Sequence, residues 1–196
     1  IVHHSGYYEV SADNYTAFLD NNCSLTGLKF RNSFFDVLGN TTNKGAYFTD
    51  GEERIGITNI RINENSLQCN SSDIRFRYDF DPDDIHIKVF SDNIKYPRFY
   101  YSPKMNHLKN VYKGANTSVF MNSTDYESKD WEHAIFESEE GAMVHTYIAK
   151  DHPYPTSPEI GYVSDQIIYN TDNSPMTNNT FFNIHMNFDL GNYSPR

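Results

Sequence analysis

The stretch Asp73-Ile-Arg-Phe-Arg-Tyr-Asp-Phe-Asp-Pro-Asp-Asp-Ile-His-Ile-Lys-Val-Phe-Ser91 carries the clearest folding signal in the chain. Its apolar residues occupy every second position on either side of the segment 81–84, in the order Ile74, Phe76, Tyr78, Phe80, Ile85, Ile87 and Val89. Alternation with a period of two is typical of a β-strand with one buried face. Proline and aspartate favour a turn, because proline sets φ and aspartate side chains bond to the amides of the turn. The stretch therefore predicts a hairpin of two antiparallel strands.

The same period recurs along the rest of the chain. Five shorter strands are predicted before the hairpin, at Gly6–Val10, Tyr15–Leu19, Leu25–Phe30, Phe34–Leu38 and Ala46–Phe48. Between residues 54 and 63 the isoleucines change parity midway, which predicts a strand with a β-bulge at Thr58-Asn59.

Two further segments after the hairpin show strong alternation. A second hairpin is predicted over residues 131–149, with a four-residue loop at 138–141 that places Ile135 opposite Val144. A long, central, half-buried strand is predicted from Phe182 to Leu190. No stretch shows a sustained helical period. The chain is therefore predicted to be a single all-β domain over residues 1–196, a two-sheet antiparallel sandwich, with a closed β-barrel as the alternative.

The composition excludes several classes of partner. The 196 residues carry a formal net charge of -10, whereas nucleic-acid binding requires clustered lysine and arginine. No run of eighteen apolar residues exists, so no membrane insertion is predicted. Aromatic residues make up 15% of the chain and bury large areas each, which is enough for a substantial core.

Two features indicate an extracellular location. Eight Asn-x-Ser/Thr glycosylation acceptors occur, roughly twice the number expected by chance for this composition, at Asn14, Asn22, Asn40, Asn70, Asn116, Asn122, Asn178 and Asn192. The only cysteines, Cys23 and Cys69, predict one disulfide that contributes on the order of 4 kcal/mol by closing a long loop. The sequence starts without methionine or a signal-peptide pattern, from which we expect a secreted chain that is an ectodomain or a processed fragment.

No motif for catalysis, metal binding or cofactor binding is present. The acidic turn at 79–84 lacks the glycine and glutamate that a helical calcium loop requires at its sixth and twelfth positions. There is no Gly-x-Ser-x-Gly elbow and no glycine-rich phosphate loop. His86, His145 and His185 fall on polar or mixed faces of predicted strands, and no His-x-His or His-Glu-x-x-His spacing exists. No metal and no cofactor are therefore predicted.

Two short segments resemble known families. Asp130-Trp131-Glu132-His133 resembles part of the motif of Nep1-like necrosis-inducing proteins, with Glu127 and Lys129 where that family has histidines. Residues 44–48, together with 177–184, are similar to segments of galactose-mutarotase-like sandwiches, again without the histidines of those motifs. Neither resemblance assigns site residues here.

The chain has more aromatic residues than strand interiors require. This excess indicates a recognition surface, since tyrosine gives large contact area at low entropic cost. The predicted binding residues are Tyr96, Phe99, Tyr100, Tyr101 and Tyr154. We expect a glycosylated recognition domain that engages a protein or glycan partner.

Two other functions remain open at this point. A carbohydrate-active β-sandwich enzyme would use a pair of carboxylates among Asp130, Glu132 and Glu137 as acid and base. A β-barrel would carry an apolar small ligand in an interior pocket.

Overall fold

The structure is a computed structural model of the chain. It describes residues 1–30, 38, 45–50, 53–72, 74–90, 97–102, 108–113, 117–118, 126–128, 133–138, 143–148, 159–163, 166–170 and 179–187. These residues contain strands and turns but no helix, and hence no helix able to span a membrane.

The described strands, in chain order, are β1 (Val2–His4), β2 (Tyr7–Ser11), β3 (Tyr15–Asp20), β4 (Leu25–Phe30), β5 (Ala46–Asp50), β6 (Glu53–Arg54), β7 (Asn59–Asn63), β8 (Ser66–Asn70), β9 (Arg75–Phe80), β10 (Asp84–Val89), β11 (Pro97–Tyr101), β12 (Leu108–Lys113), β13 (Thr117–Ser118), β14 (Tyr126–Ser128), β15 (His133–Ser138), β16 (Met143–Ile148), β17 (Glu159–Val163), β18 (Gln166–Asn170) and β19 (Asn179–Asn187).

The strands form two sheets in which every pairing is antiparallel. The first has the order β1-β2-β3-β4-β5-β11-β18-β17-β14, with β6 paired to β5. The second has the order β13-β12-β15-β16-β19-β10-β9-β8-β7. Neither order closes on itself, so the described strands confirm the two-sheet sandwich and not the closed barrel.

The predicted hairpin at residues 75–89 is confirmed as β9 and β10. Phe80 pairs with Ile85 and Tyr78 pairs with Ile87, and all four side chains are buried. The backbone N–H of Asp81 donates to the carbonyl of Asp84 at 2.8 Å and closes the turn. Burial of one face of each strand is the physical reason for the period of two.

The predicted bulge between residues 54 and 63 is wrong, because this segment passes from one sheet to the other. Arg54 pairs with Thr49 in the first sheet, whereas Asn59 pairs with Asn70 in the second. Residues 55–58 make the crossing, with Ile55 buried on the way. The change of parity thus marks a change of sheet.

The register predicted for the second hairpin is wrong by one residue. Phe136, and not Ile135, pairs with Val144, and the last pair joins Glu137 to Met143. The loop is therefore one residue longer than predicted. A shift of one residue exchanges the two faces of a strand.

The predicted C-terminal strand is confirmed as central. It is β19, which lies between β16 and β10 in the middle of the nine-stranded sheet. It begins at Asn179 and ends at Asn187, about three residues earlier at each end than the alternation indicates.

One hydrophobic cluster lies between the sheets and includes residues from both. The predicted disulfide is confirmed: Cys23 follows β3 in the first sheet, Cys69 lies on β8 in the second, and their Cα atoms are 6.4 Å apart. Both cysteines are buried, so the bond joins the two layers inside the sandwich.

Candidate functional site

Two of the five predicted binding residues lie in the core. Phe99 and Tyr101 are fully buried, and the Phe99 ring packs 5.2 Å from that of Phe48, measured between centroids. Successive residues of a strand alternate between faces, so Tyr100 lies on the opposite, outer face and is only half-buried. The exposed aromatic surface predicted at Phe99 and Tyr101 is therefore wrong for those two residues. Tyr96 and Tyr154 lie outside the described residues.

Tyr100 belongs to a group that we call the aromatic column, formed by Tyr100, Tyr47, Arg54 and Ser24. Tyr100 pairs with Tyr47 across β11 and β5, and their rings stack in parallel with centroids 5.1 Å apart. The Arg54 guanidinium carbon lies 4.4 Å from the Tyr47 ring centroid, and the same guanidinium donates a hydrogen bond to the Ser24 hydroxyl. A cation over a tyrosine ring is attracted by the ring quadrupole.

A second aromatic group lies on the outer face of β1 to β4, and we call it the N-terminal patch. The rings of His4 and Tyr7 stack at 4.6 Å between centroids, and Tyr7 contacts Phe18 at 6.1 Å. The Lys29 ammonium lies 5.4 Å from the Phe18 centroid. The Tyr7 side chain is 37% exposed, and His4 is held by Glu9 at 3.0 Å.

Both groups lie on the same face of the first sheet. Tyr7 and Phe18 alternate with the buried Tyr8 and Leu19. Tyr47 is only 8% exposed, and its pairing with Tyr100 assigns it to the same outer face. Sequence reasoning omitted this placement, although the parity of Tyr8, Ala17 and Leu19 indicates it. Phe18 occupies an outward position, where an aromatic residue is not needed for the core.

The outer face of the second sheet has a different chemistry around β9 and β10. Asp79 forms ion pairs with Arg77 and Lys88, with N···O distances of 2.7 Å in both cases. The Arg75 and Arg77 guanidinium carbons lie 5.0 and 5.6 Å from the Phe90 ring centroid. The charges of Arg77 and Lys88 are paired with Asp79, whereas no ion pair is found for Arg54 or Lys29 among the described residues of the first sheet.

Two buried tyrosines act as structural hydrogen-bond donors. The Tyr15 hydroxyl donates to the Asp84 carbonyl at 3.0 Å, and the Tyr78 hydroxyl donates to the Cys23 carbonyl at 2.7 Å. Burial raises the pKa of both well above the ordinary value, and the nearby Asp81 and Asp20 raise the pKa of Tyr15 and Tyr78 respectively. Both phenols are therefore protonated at neutral pH and do not serve as bases.

The described residues do not assemble a site for the alternative enzyme function or for the alternative carrier function. Asp130 and Glu132 lie outside them, and Glu137 lies on β15 opposite Met143. A pocket of about 170 Å³ lies between Ile1, Val10 and Phe80, smaller than the roughly 300–1,000 Å³ of typical ligand pockets. Among the described side chains, no three potential metal ligands converge.

Three predicted glycosylation acceptors lie within the described residues. Asn14 and Asn22 are exposed, before β3 and in the turn after it, and Asn70 is half-buried at the end of β8. The other five acceptors lie outside the described residues: Asn40, Asn116, Asn122, Asn178 and Asn192.

Comparison with known proteins gives a likeness of fold alone. No family model matches the chain, and no curated protein matches it. A solved structure described as "Crystal Structure Analysis of HI1317" is similar with a TM-score of 0.53 at 8% sequence identity, over 92% of this chain and 92% of that one. The similarity extends over nearly the whole sandwich and assigns no site.

Proposed function

We propose that the chain is an extracellular, N-glycosylated recognition domain that binds a protein or glycan partner through the outer face of its first sheet. The observation that supports this most directly is the pair of aromatic groups on that face, the aromatic column and the N-terminal patch. Each contains a cation beside a ring, namely Arg54 at Tyr47 and Lys29 at Phe18.

This combination of groups suits a sugar ring or a peptide. Tyrosine rings offer apolar area that packs on the C–H face of a sugar or on a side chain, while their hydroxyls form hydrogen bonds. Arg54 and Lys29 contribute donors at the rim of those rings. Tyr47 and Tyr100 support each other by stacking, so the surface is ordered before the partner arrives, which lowers the entropic cost of binding.

The extracellular location is supported by the disulfide and by the exposed acceptors. The disulfide between Cys23 and Cys69 is stable in an oxidising environment, and disulfides of this kind are rare in the cytosol. Asn14 and Asn22 are exposed acceptors, as an attached oligosaccharide requires. Asn14 precedes β3 at the end remote from Tyr7, whereas Asn22 lies two residues beyond Asp20, the strand partner of Tyr7.

The test uses the glycosylated chain from a eukaryotic host, probed on an array of immobilised glycans and on an array of purified extracellular protein domains. The double variant Tyr7→Ala/Tyr100→Ala should lose at least about tenfold in affinity for the partner found, the loss expected when two aromatic anchors are removed. The same variant should lose less than about 3 kcal/mol of unfolding free energy, because each aromatic contact that it removes is worth about 0.5–1.5 kcal/mol.

Two controls separate recognition from folding. Arg61→Ala changes an exposed residue of the second sheet and should leave affinity unchanged. Phe99→Ala removes a fully buried ring and should cost about 3–5 kcal/mol of stability. Wild-type affinity in the double variant, or a loss of stability as large as that of Phe99→Ala, would contradict the proposed surface.

A further inference from the structure

Four cationic side chains lie close together on one face of strands β7 to β10. Arg61 pairs with Gln68, which pairs with Arg77. Arg77 in turn pairs with Lys88. Directly paired residues of antiparallel strands project on the same side of a sheet. Arg75 lies two positions before Arg77 on β9 and is therefore on that side too. We call Arg61, Arg75, Arg77 and Lys88 the cationic patch.

The cationic patch faces away from the core of the sandwich. Phe76 and Tyr78 alternate with the two arginines of β9, and both are buried between the sheets. Arg61 and Arg75 are exposed, and the other two members of the patch are half-buried beside them. The patch is therefore open to a ligand that arrives from the solvent.

The positive charge of the patch exceeds the negative charge that it contacts. Asp79 lies 2.7 Å from both Arg77 and Lys88, so one carboxylate meets two cations. Among the described residues, no ion pair involves Arg61 or Arg75. Four positive charges thus stand against one negative charge, in a chain whose formal net charge is -10. Such a local excess suits an anionic ligand.

An aromatic ring holds two of the arginines in place. The guanidinium carbons of Arg75 and Arg77 lie 5.0 and 5.6 Å from the Phe90 ring centroid. The Phe90 N–H donates to the Arg75 carbonyl at 2.7 Å, which fixes this residue next to β9. A guanidinium over a ring still has N–H donors at its edge. The arginines are therefore ordered before a ligand arrives, which lowers the entropic cost of binding.

We infer that the cationic patch binds a sulfated polysaccharide. Arg61 and Lys88 are three strand spacings apart, which is roughly 14 Å between their backbones. A ligand that contacts the whole patch must therefore carry several anionic groups along its length. Sulfate groups on successive sugars meet this requirement, and the planar guanidinium donates to two oxygens of one such anion.

The neighbours of the cations favour a sugar chain over a nucleic acid. Gln68 lies between Arg61 and Arg77 in one row, and Asn59 lies two positions before Arg61 on β7. Side-chain amides both donate and accept hydrogen bonds, as sugar hydroxyls do. The Phe90 ring is already in contact with two guanidinium groups, whereas single-stranded nucleic acids stack their bases on open aromatic faces.

The inference takes the extracellular location from the proposed function, because sulfated polysaccharides occur outside cells, but it does not use the recognition surface. That surface is on the first sheet, whereas the cationic patch is on the second. The acidic turn at 81–84 lies roughly 20 Å from Arg75 along β9. This distance exceeds the screening length of about 8 Å at physiological ionic strength, so the turn does not cancel the charge at the Arg75 end.

The probe for the test is heparin, with chemically desulfated heparin as its matched control. Calorimetry with the glycosylated chain should show saturable binding of heparin, and binding of the desulfated form at least about tenfold weaker. Arg61→Ala/Arg75→Ala should raise the Kd for heparin at least about tenfold. The slope of log Kd against log salt concentration should fall by about two, one for each charge removed.

Controls separate a failed site from a failed fold. The Tm of Arg61→Ala/Arg75→Ala should match that of the wild type, because both arginines are exposed. Arg61→Gln/Arg75→Gln keeps more of each side chain and replaces the alanine variant if its Tm falls. Lys109→Ala/Lys113→Ala removes the same charge from β12, four strands from β10 in the same sheet, and should leave the Kd and the slope unchanged.

An oligosaccharide at the Asn70 acceptor would border the patch, because Asn70 pairs with Arg75. Ser72→Ala destroys this glycosylation motif and should bind heparin at least as tightly as the wild type does. Weaker binding would assign the heparin site to the attached sugar and contradict the inference.

The outcomes for the two surfaces are distinct. Tyr7→Ala/Tyr100→Ala should keep wild-type affinity for heparin, even though it loses the partner of the first sheet. The cationic patch is refuted if the wild type does not bind heparin, or if the folded arginine variant binds as the wild type does. It is also refuted if the lysine variant is weakened as much as the arginine variant, or if desulfated heparin or duplex DNA binds as tightly as heparin.

Discussion

The two ends of strand β3 are fastened to the second sheet by different means. Beyond its C-terminal end, Cys23 forms the disulfide with Cys69, and the Cys23 carbonyl accepts a buried hydrogen bond from Tyr78. At its N-terminal end the Tyr15 hydroxyl bonds to the Asp84 carbonyl, and the exposed Asn14 amide bonds to Asp83. The C-terminal end is attached by a buried covalent bond, whereas the N-terminal end is attached by hydrogen bonds that are partly open to water.

The two ends have one kind of contact in common and differ in another. Each has a buried tyrosine hydroxyl that donates to a backbone carbonyl of the opposite sheet, from Tyr78 in one direction and from Tyr15 in the other. Only the first end adds a covalent bond. At the other end, the acidic turn at 81–84 accepts hydrogen bonds from Tyr15 and Asn14, and it borders the Asn14 acceptor.

The largest expected effect comes from removal of the covalent bond. Cys23→Ala/Cys69→Ala should lower the free energy of unfolding by up to about 4 kcal/mol, because the unfolded chain loses a loop constraint of 46 residues. Denaturant unfolding, read as a shift of the midpoint at similar m-value, measures this. A double variant that unfolds at the wild-type midpoint would show that the two ends are equivalent.

An intermediate effect is expected at the tyrosines, which the two ends have in common. Tyr78→Phe and Tyr15→Phe should each cost about 1–2 kcal/mol at neutral pH, because a buried carbonyl loses its donor. Tyr100→Phe, which changes a half-buried ring in the same way, should stay within about 0.5 kcal/mol.

The same tyrosines predict a loss of stability in alkali. Burial raises the pKa of Tyr15 and Tyr78 above the ordinary value of 10.0, so the folded chain keeps two protons that the unfolded chain releases. Stability is therefore complete below about pH 10 and falls above it, with a slope that approaches about 2.7 kcal/mol per pH unit for two groups. Urea unfolding between pH 8 and 11 measures the slope, and either phenylalanine variant should halve it. An unchanged slope in both variants would show that these two tyrosines do not cause the loss of stability in alkali.

The part of the fold that follows from alternation was predictable. The hairpin of β9 and β10, strand β4 and the central position of β19 were predicted because a period of two reports which face is buried. The disulfide was predictable because only two cysteines occur. The bulge at Thr58-Asn59 was wrong because parity does not distinguish a kink within one sheet from a passage between two sheets.

The candidate sites were less predictable, because they depend on register and on which face a residue occupies. Phe99, Tyr100 and Tyr101 were predicted together as a surface, although adjacent strand residues must point to opposite faces. The stack of Tyr47 on Tyr100 depends on a pairing between strands about 50 residues apart in the chain. Local sequence does not determine such pairings, because the packing of the whole sheet selects strand partners that are distant in the chain.

The smallest effect on stability is expected from the exposed hydrogen bond between Asn14 and Asp83, at the N-terminal end of β3. Asp83→Ala removes the acceptor of the Asn14 amide and should cost less than about 1 kcal/mol, because water replaces an exposed acceptor. Thr16→Val leaves the Asn14–Asp83 pair in place but destroys the glycosylation motif. It should remove the mass of one oligosaccharide from chain made in a eukaryotic host and shift the unfolding free energy by no more than about 0.5 kcal/mol. An unchanged mass in Thr16→Val would exclude a sugar at Asn14. A cost for Asp83→Ala as large as that of Tyr15→Phe would mean that the exposed bond, and not the buried hydroxyl, holds this end of β3 to the second sheet.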